Sequence, residues 1–139
     1  MTHTIRRELR FSQDPDTVWR ALANREALAE WMYPNDFEAR VGHRFTFRVP
    51  PKPQLENGLT VRCEVLTCVP PSELSFTWVV DNFLNTRVSY RLETDGAGTR
   101  VLFEHSGFEQ QQAFRGAEYG WKMMHKQLEK FLAQGDERQ

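Results

Sequence analysis

The sequence predicts an α+β domain in which a curved antiparallel sheet is covered by one long C-terminal helix. Between residues 36 and 107, apolar residues recur at every second position, as in strands with one buried face. After Gly107 they recur at spacings of three and four, which indicates an amphipathic helix over about 110–132, roughly 35 Å long. Because a sheet with one apolar face needs a cover, we expect this helix to lie on it.

The first part of the chain predicts one strand followed by two short helices. Residues 4–11 alternate apolar and charged side chains, the pattern of a half-buried strand. Asp14 suits the N-cap of a helix and Pro15 suits its first position. A second short helix is predicted over 25–32, before Pro34.

The middle of the chain predicts five or six further strands, separated by turns rich in glycine and proline. These strands are expected at 36–40, 43–49, 59–69, 73–81, 85–94 and 99–107. The proline-rich loop 50–58 cannot pair inside a sheet, and we expect it near the mouth of any cavity under the helix.

The composition excludes several classes of function. The formal net charge is −1, which gives no electrostatic footprint for nucleic acid or for an anionic membrane. No apolar stretch approaches the roughly 20 residues that span a bilayer, and the N-terminal residues contain no apolar signal core. We therefore expect a cytoplasmic protein with no membrane insertion and no nucleic-acid partner.

The cysteines and histidines do not predict a metal site. Cys63 and Cys68 lie on one predicted strand, about 16 Å apart, which is beyond disulfide reach, so we expect reduced thiols. Neither a C-x-x-C nor an H-E-x-x-H spacing occurs. We expect no metal and no cofactor.

His105 is the most informative polar residue, because it takes a place in the apolar row of the last strand. Its neighbours Glu104 and Ser106 point to the other face, so the three cannot form a triad along one strand. A buried imidazole needs a partner, and a backbone group, water or Tyr90 would serve. Orienting a ligand is the second interpretation, and acid–base catalysis is the third.

The aromatic content, 12% of residues with ten Phe and four Trp, predicts an apolar pocket between the sheet and the helix. Large rigid rings on both layers keep the layers apart and leave gaps that are hard to fill. Met124 could fill such a gap or move to admit a ligand. The residues predicted to bind the ligand are Phe45, Phe47, Trp78, Tyr90, Phe103, His105, Trp121, Met124 and His125.

Several segments together resemble a known family. They are "DPDTVWRALA", "LAEW", "EVLTCVPPSELSFTW", "GAGTRVLFEHSGF" and the Gly120-Trp121 pair. They are similar to the activator-of-heat-shock-protein-ATPase-like branch of the START and birch-pollen-allergen superfamily (SRPBCC). The resemblance covers about residues 5–132, so we expect one START-like domain over 1–139.

The resemblance implies a helix-grip fold with an apolar cavity between the sheet and the last helix. The superfamily includes lipid, sterol and hormone binders, polyketide cyclases and dehydratases, and a co-chaperone branch. It supplies no shared catalytic set, so we name no catalytic residue.

We therefore expect a binder of a small hydrophobic or amphipathic molecule, such as a lipid, rather than an enzyme. Two alternatives stay open: a co-chaperone-like protein with a chaperone as partner, and a cyclase- or dehydratase-like enzyme that uses His105. The outer strands would also allow a homodimer.

Overall fold

The computed structural model describes residues 2–53 and 55–137, and these form one six-stranded antiparallel sheet with three helices. In chain order the elements are β1 (His3–Phe11), α1 (Pro15–Leu22), α2 (Arg25–Trp31), β2 (Arg44–Val49), β3 (Leu59–Val69), β4 (Glu73–Val80), β5 (Leu84–Asp95), β6 (Gly98–Phe108) and α3 (Gln111–Glu137). The strand order is β1-β6-β5-β4-β3-β2, and every neighbouring pair is antiparallel. The predicted fold class is confirmed: this is a helix-grip architecture with two short helices after the first strand.

The two faces of the sheet follow the alternation of the sequence. On β4 every second residue is buried, from Leu74 to Val80, and β5 continues the same inner face with Val88, Tyr90 and Leu92. The opposite face carries ion pairs between neighbouring strands, such as Arg6 with Glu104. One face therefore forms the core and the other meets water, as the period of two requires.

The two short helices fill one end of the inner face. Asp14 caps α1 by accepting a hydrogen bond from the backbone N–H of Thr17 at 3.1 Å, as predicted. The indole of Trp31 on α2 is buried and donates to the carbonyl of Ala21 at 2.8 Å, which fixes the two helices to each other. Trp31 also lies beside His125 of α3, so α2 and α3 share one packed layer.

The predicted strand over 36–40 is wrong. Residues 36–40 form no strand, and the adjacent Asn35 makes an isolated bridge with Phe47 of β2. The side chain of Asn35 accepts from the backbone N–H of Phe37, and the carboxylate of Asp36 accepts from the N–H of Thr46 at 2.7 Å. These bonds from side chain to backbone replace a strand ladder, so the segment crosses the end of the sheet as a loop.

The cysteines are both free thiols, as expected. Cys63 is buried beside Val61 and Val65 on the inner face of β3, and burial raises the pKa of its thiol. Cys68 is partly exposed beyond the irregularity in pairing between Val65 and Thr67.

Candidate functional site

A cavity of about 660 Å³ lies between the N-terminal half of α3 and the inner face of the sheet. The sheet contributes mostly apolar side chains to it, together with one histidine: Val49, Val61, Trp78, Val80, Leu84 and His105. The helix contributes Ala113, Gly116, Ala117, Gly120, Trp121 and Met124. Tyr33, loop residues 52 and 55, Leu59, Phe83 and the amides of Gln110 and Gln112 complete the lining.

The space exists because the first half of α3 presents small residues to the sheet. A Cβ added at Gly116 or at Gly120 would meet no atom within 4 Å. Further along the same helix, Leu128 and Leu132 are buried and close the gap by direct packing. The helix therefore holds one end of the interior open and seals the other.

His105 forms part of the floor of this cavity and has no exposed surface. The indole N–H of Trp121 donates to its Nδ1 at 2.8 Å. On the other side, its Nε2 lies 2.7 Å from the hydroxyl of Thr86, which in turn donates to the carbonyl of Trp78 at 2.7 Å. Four groups from α3, β6, β5 and β4 are joined in one buried chain of hydrogen bonds.

The donors in this chain fix the tautomer of His105. An indole N–H can only donate, so Nδ1 must accept and the ring proton lies on Nε2. This N–H donates a hydrogen bond to the hydroxyl oxygen of Thr86. Protonation of Nδ1 would set two donors against each other. Burial lowers the pKa of His105 to about 3, which agrees with a neutral ring. Both nitrogens are occupied, so in this arrangement neither is free to act on a ligand as acid or base.

A second buried polar pair lies away from the cavity. Tyr90 and His125 are joined by a hydrogen bond of 3.1 Å between the phenol oxygen and Nε2. Burial lowers the pKa of His125 to about 3, with the positive charge of Arg7 as a smaller cause. Burial also raises the pKa of Tyr90 well above its usual value. Both groups are therefore neutral at physiological pH.

Trp121 separates the two polar groups. Its ring stacks on His125 with centroids 5.4 Å apart, and it touches Phe103 at 4.7 Å and Trp78 at 5.2 Å. His105 meets the same indole nearly edge-on. One residue of α3 thus forms part of the cavity wall while also contacting the packed core behind it.

The structure divides the nine residues predicted to bind a ligand into two groups. Four of them line the cavity: Trp78, His105, Trp121 and Met124. The other five are buried in the core outside the cavity lining: Phe45, Phe47, Tyr90, Phe103 and His125. Phe45 packs against three phenylalanine rings, and Phe103 packs between Tyr90, Trp121 and His125, so their inner faces are already covered.

His105 has hydrogen-bond partners, as a buried imidazole needs, but Tyr90 is not one of them. Tyr90 bonds His125 instead, and His105 bonds the hydroxyl of Thr86 and the indole of Trp121. On the inner face of β5, Val88 is opposite His105, and Thr86 and Tyr90 lie two positions to either side of it. Nδ1 of His105 bonds Trp121 and Nε2 bonds Thr86, a choice between two equivalent neighbours that alternation along the strand does not give.

Sequence reasoning also missed several residues of the cavity. Tyr33 follows a helix, and Phe83 lies in a turn and is 57% exposed, so neither belongs to a periodic pattern. Gly116 and Gly120 carried a usable signal: they are glycines inside a helix, on the side of the apolar stripe, where a glycine weakens the helix by about 1 kcal/mol relative to alanine.

Over 2–53 and 55–137, no three His, Cys, Asp or Glu side chains are grouped so as to hold a metal ion. Within the same residues, no helix combines the length and apolar character needed to cross a membrane.

The fold and the cavity together define a helix-grip domain with an internal apolar site open to solvent. The family model described as "Activator of Hsp90 ATPase homolog 1-like protein" matches residues 12–133. The chain belongs to this family, within the SRPBCC superfamily. No curated protein matches the sequence.

Solved structures agree with this assignment. Protein MLL2253 from Mesorhizobium loti is 33% identical with a TM-score of 0.86, over 95% of this chain and 98% of that one. Protein BH1534 from Bacillus halodurans is 27% identical with a TM-score of 0.78, over 95% of this chain and 99% of that chain. CalU16 from Micromonospora echinospora is 24% identical with a TM-score of 0.80, over 99% of this chain and 80% of that chain. This similarity shows a shared fold.

The hydrogen-bonded chain through His105 predicts a stability effect at Thr86. Thr86→Val replaces the hydroxyl by a methyl group of similar shape and leaves the Nε2–H of His105 without an acceptor. We expect a loss of about 1–3 kcal/mol in the free energy of unfolding, measured by urea denaturation. Thr94→Val, at an exposed position on the same strand, is the matched control and should stay within about 0.5 kcal/mol. Equal small effects at both positions would contradict the role of the hydroxyl.

The two buried neutral histidines predict that mild acid destabilises the protein. His105 and His125 have pKa values of about 3 in the folded chain, whereas an unfolded histidine titrates near pH 6.5. Between these values the unfolded chain binds more protons, so the free energy of unfolding falls as the pH falls. We expect a loss on the order of 1–2 kcal/mol per histidine between pH 6.5 and pH 5, measured by urea denaturation at each pH.

His125→Gln is the control for this pH dependence. Glutamine does not titrate, so the variant should lose the share of the slope that His125 contributes, whatever its stability at pH 7. A free energy of unfolding that stays constant from pH 7 to pH 5 in the unmodified protein would show that the histidines are not held neutral.

Proposed function

We propose that this protein binds a small hydrophobic or amphipathic molecule in the cavity between the sheet and α3. The observation that carries the proposal is an opening of about 660 Å³ with mainly apolar walls. Small-molecule sites in proteins have volumes of about 300–1,000 Å³ and combine apolar walls with a few polar groups. This cavity has both properties.

The protein maintains this space at a cost in folding stability. Two glycines in the middle of a helix lower its stability by about 1 kcal/mol each relative to alanine, and the room they leave is not filled by other side chains. Apolar walls in contact with water are also unfavourable, by about 25 cal/mol for each Å² left uncovered. A ligand with an apolar body would cover these walls.

The proposed contacts are Trp78, Trp121 and Met124, with His105 beneath them. Two indoles give a ligand flat, rigid surfaces, and the flexible Met124 lets the wall adapt to its shape. His105 is assigned a positioning role, since its Nδ1 holds the indole of Trp121 in place.

The other predicted site residues are proposed to support the cavity through packing. Phe45 and Phe47 lie in a cluster with Phe76 behind the cavity, and Phe103 backs Trp121. A cytoplasmic location, lipid as the ligand and a homodimer stay predictions from the sequence.

A second candidate function follows from the description of the family, which names the activation of an Hsp90 ATPase. The discriminating measurement is the ATPase rate of a purified Hsp90-type chaperone with and without this protein. Stimulation that survives filling of the cavity would favour a chaperone partner bound at another surface.

Filling the cavity should abolish binding without unfolding the protein. In Gly120→Leu the new side chain enters open space and replaces a poor helix former, so the melting temperature should hold or rise. We expect the affinity for the neutral fluorescent probe N-phenyl-1-naphthylamine to fall at least about tenfold, a loss of about 1.4 kcal/mol. The measurement is a fluorescence titration.

Gln127→Leu is the matched control, because it adds the same side chain at an exposed position of α3 outside the cavity lining. It should bind the probe like the unmodified protein. Undiminished binding by a folded Gly120→Leu variant would overturn the proposal. If Gly120→Leu does lose the probe, native mass spectrometry of the unmodified protein purified from its own host would identify the molecule that occupies the cavity.

A further inference from the structure

One charged side chain lines the cavity among the described residues, and it is a cation. Lys52 lies in the lining, whereas no carboxylate does. The remaining polar side chains there, apart from His105, are Tyr33, Gln110 and Gln112, all uncharged at physiological pH. Glu56, the acidic residue of the same loop, is outside the lining.

The loop that carries Lys52 is held in place by its backbone. Lys52 and Leu55 exchange two backbone hydrogen bonds, of 3.1 Å and 2.8 Å, so the loop turns back on itself. The N–H of Gly58 also donates to the carbonyl of Leu55 at 3.0 Å. Both Lys52 and Leu55 contribute to the cavity lining, so a residue with a cationic side chain and a residue with an apolar one lie at the same site.

Gly58 is required for this arrangement. Its φ of +69° lies in the left-handed region, and a Cβ there would be only 2.5 Å from the carbonyl oxygen of Val49. Only glycine lets the loop close against the end of β2. The position of Lys52 beside the cavity therefore follows from the backbone, although its side chain is exposed.

The ammonium group of Lys52 is available to a ligand. It forms no salt bridge with any residue in 2–53 or 55–137, whereas arginines on the outer face of the sheet are paired with carboxylates. Lysine offers three hydrogen-bond donors and a positive charge, and an anionic oxygen is its complement.

We propose that the ligand of the cavity is an amphipathic acid, whose apolar body lies between the sheet and α3 and whose anionic head group binds the ammonium of Lys52. This inference rests on the proposed function. A cationic head group would be repelled at the same place, and a neutral one would accept a hydrogen bond from the ammonium without the attraction between opposite charges. Because the head group lies at an exposed lysine, its contribution is modest, about fivefold in affinity, and salt weakens it.

The test uses two probes that differ by a single acidic group. N-Phenyl-1-naphthylamine is neutral, and 8-anilinonaphthalene-1-sulfonate carries a sulfonate on the same ring system. In Lys52→Gln we expect the dissociation constant of the sulfonate probe to rise about fivefold and that of the neutral probe to change less than twofold. Lys130→Gln, at an exposed position of α3 outside the cavity, should change neither.

Two further readouts use the same proteins. Raising the ionic strength should lower the affinity for the sulfonate probe more in the unmodified protein than in Lys52→Gln. Dodecanoate should displace the neutral probe more strongly than dodecanol does, and Lys52→Gln should remove that difference.

The outcomes separate the two proposals. If Lys52→Gln weakens the binding of both probes equally, or changes neither, the proposal of an acidic head group is overturned. The cavity would still be a binding site. If the unmodified protein binds neither probe, the proposed function fails and the inference fails with it.

Discussion

The hydrogen bond from the indole of Trp121 to Nδ1 of His105 is the contact on which the rest of the interior depends. It joins the middle of α3 to β6, and through Thr86 it reaches β5 and the backbone of β4. An indole N–H and an imidazole buried without partners would each cost a few kcal/mol. The helix is therefore held at one distance and one rotation over the sheet, and the position of Trp121 sets where the packed core ends and the cavity begins.

The interior is packed differently on the two sides of Trp121. Toward the C-terminus of α3, large side chains from the helix meet the phenylalanine and tyrosine rings of the sheet, and His125 with Tyr90 is enclosed among them. Toward the N-terminus, alanine and glycine face a sheet that twists away from a straight helix. The first side is closed by direct packing, and the second side encloses the cavity that we propose as the binding site.

Both buried histidines hold neighbouring side chains through hydrogen bonds in this arrangement. Functional differences within such a fold therefore depend on other residues. The fold supplies a rigid frame, and the chemistry of each member is set by the residues exposed to its cavity. Among the described residues, the cavity lining is apolar except for one neutral histidine with both nitrogens bonded, three uncharged polar side chains and one lysine in the loop that Gly58 closes. Recognition by shape, apolar surface and one charge is the chemistry that such a lining supports.

The sequence by itself determined the elements of this protein, because their signals are local. The alternation on β4, the cap at Asp14 and the stripe on α3 each depend on residues within a few positions of one another, and side-chain hydrogen bonds around Asn35 overrode only the weak pattern at 36–40. The tertiary structure alone decided which inward residues meet a cavity. His105 bonds Thr86 rather than Tyr90, and Met124 lines the cavity while Trp121 and His125 cover Phe103, because these outcomes depend on contacts between segments far apart in the chain.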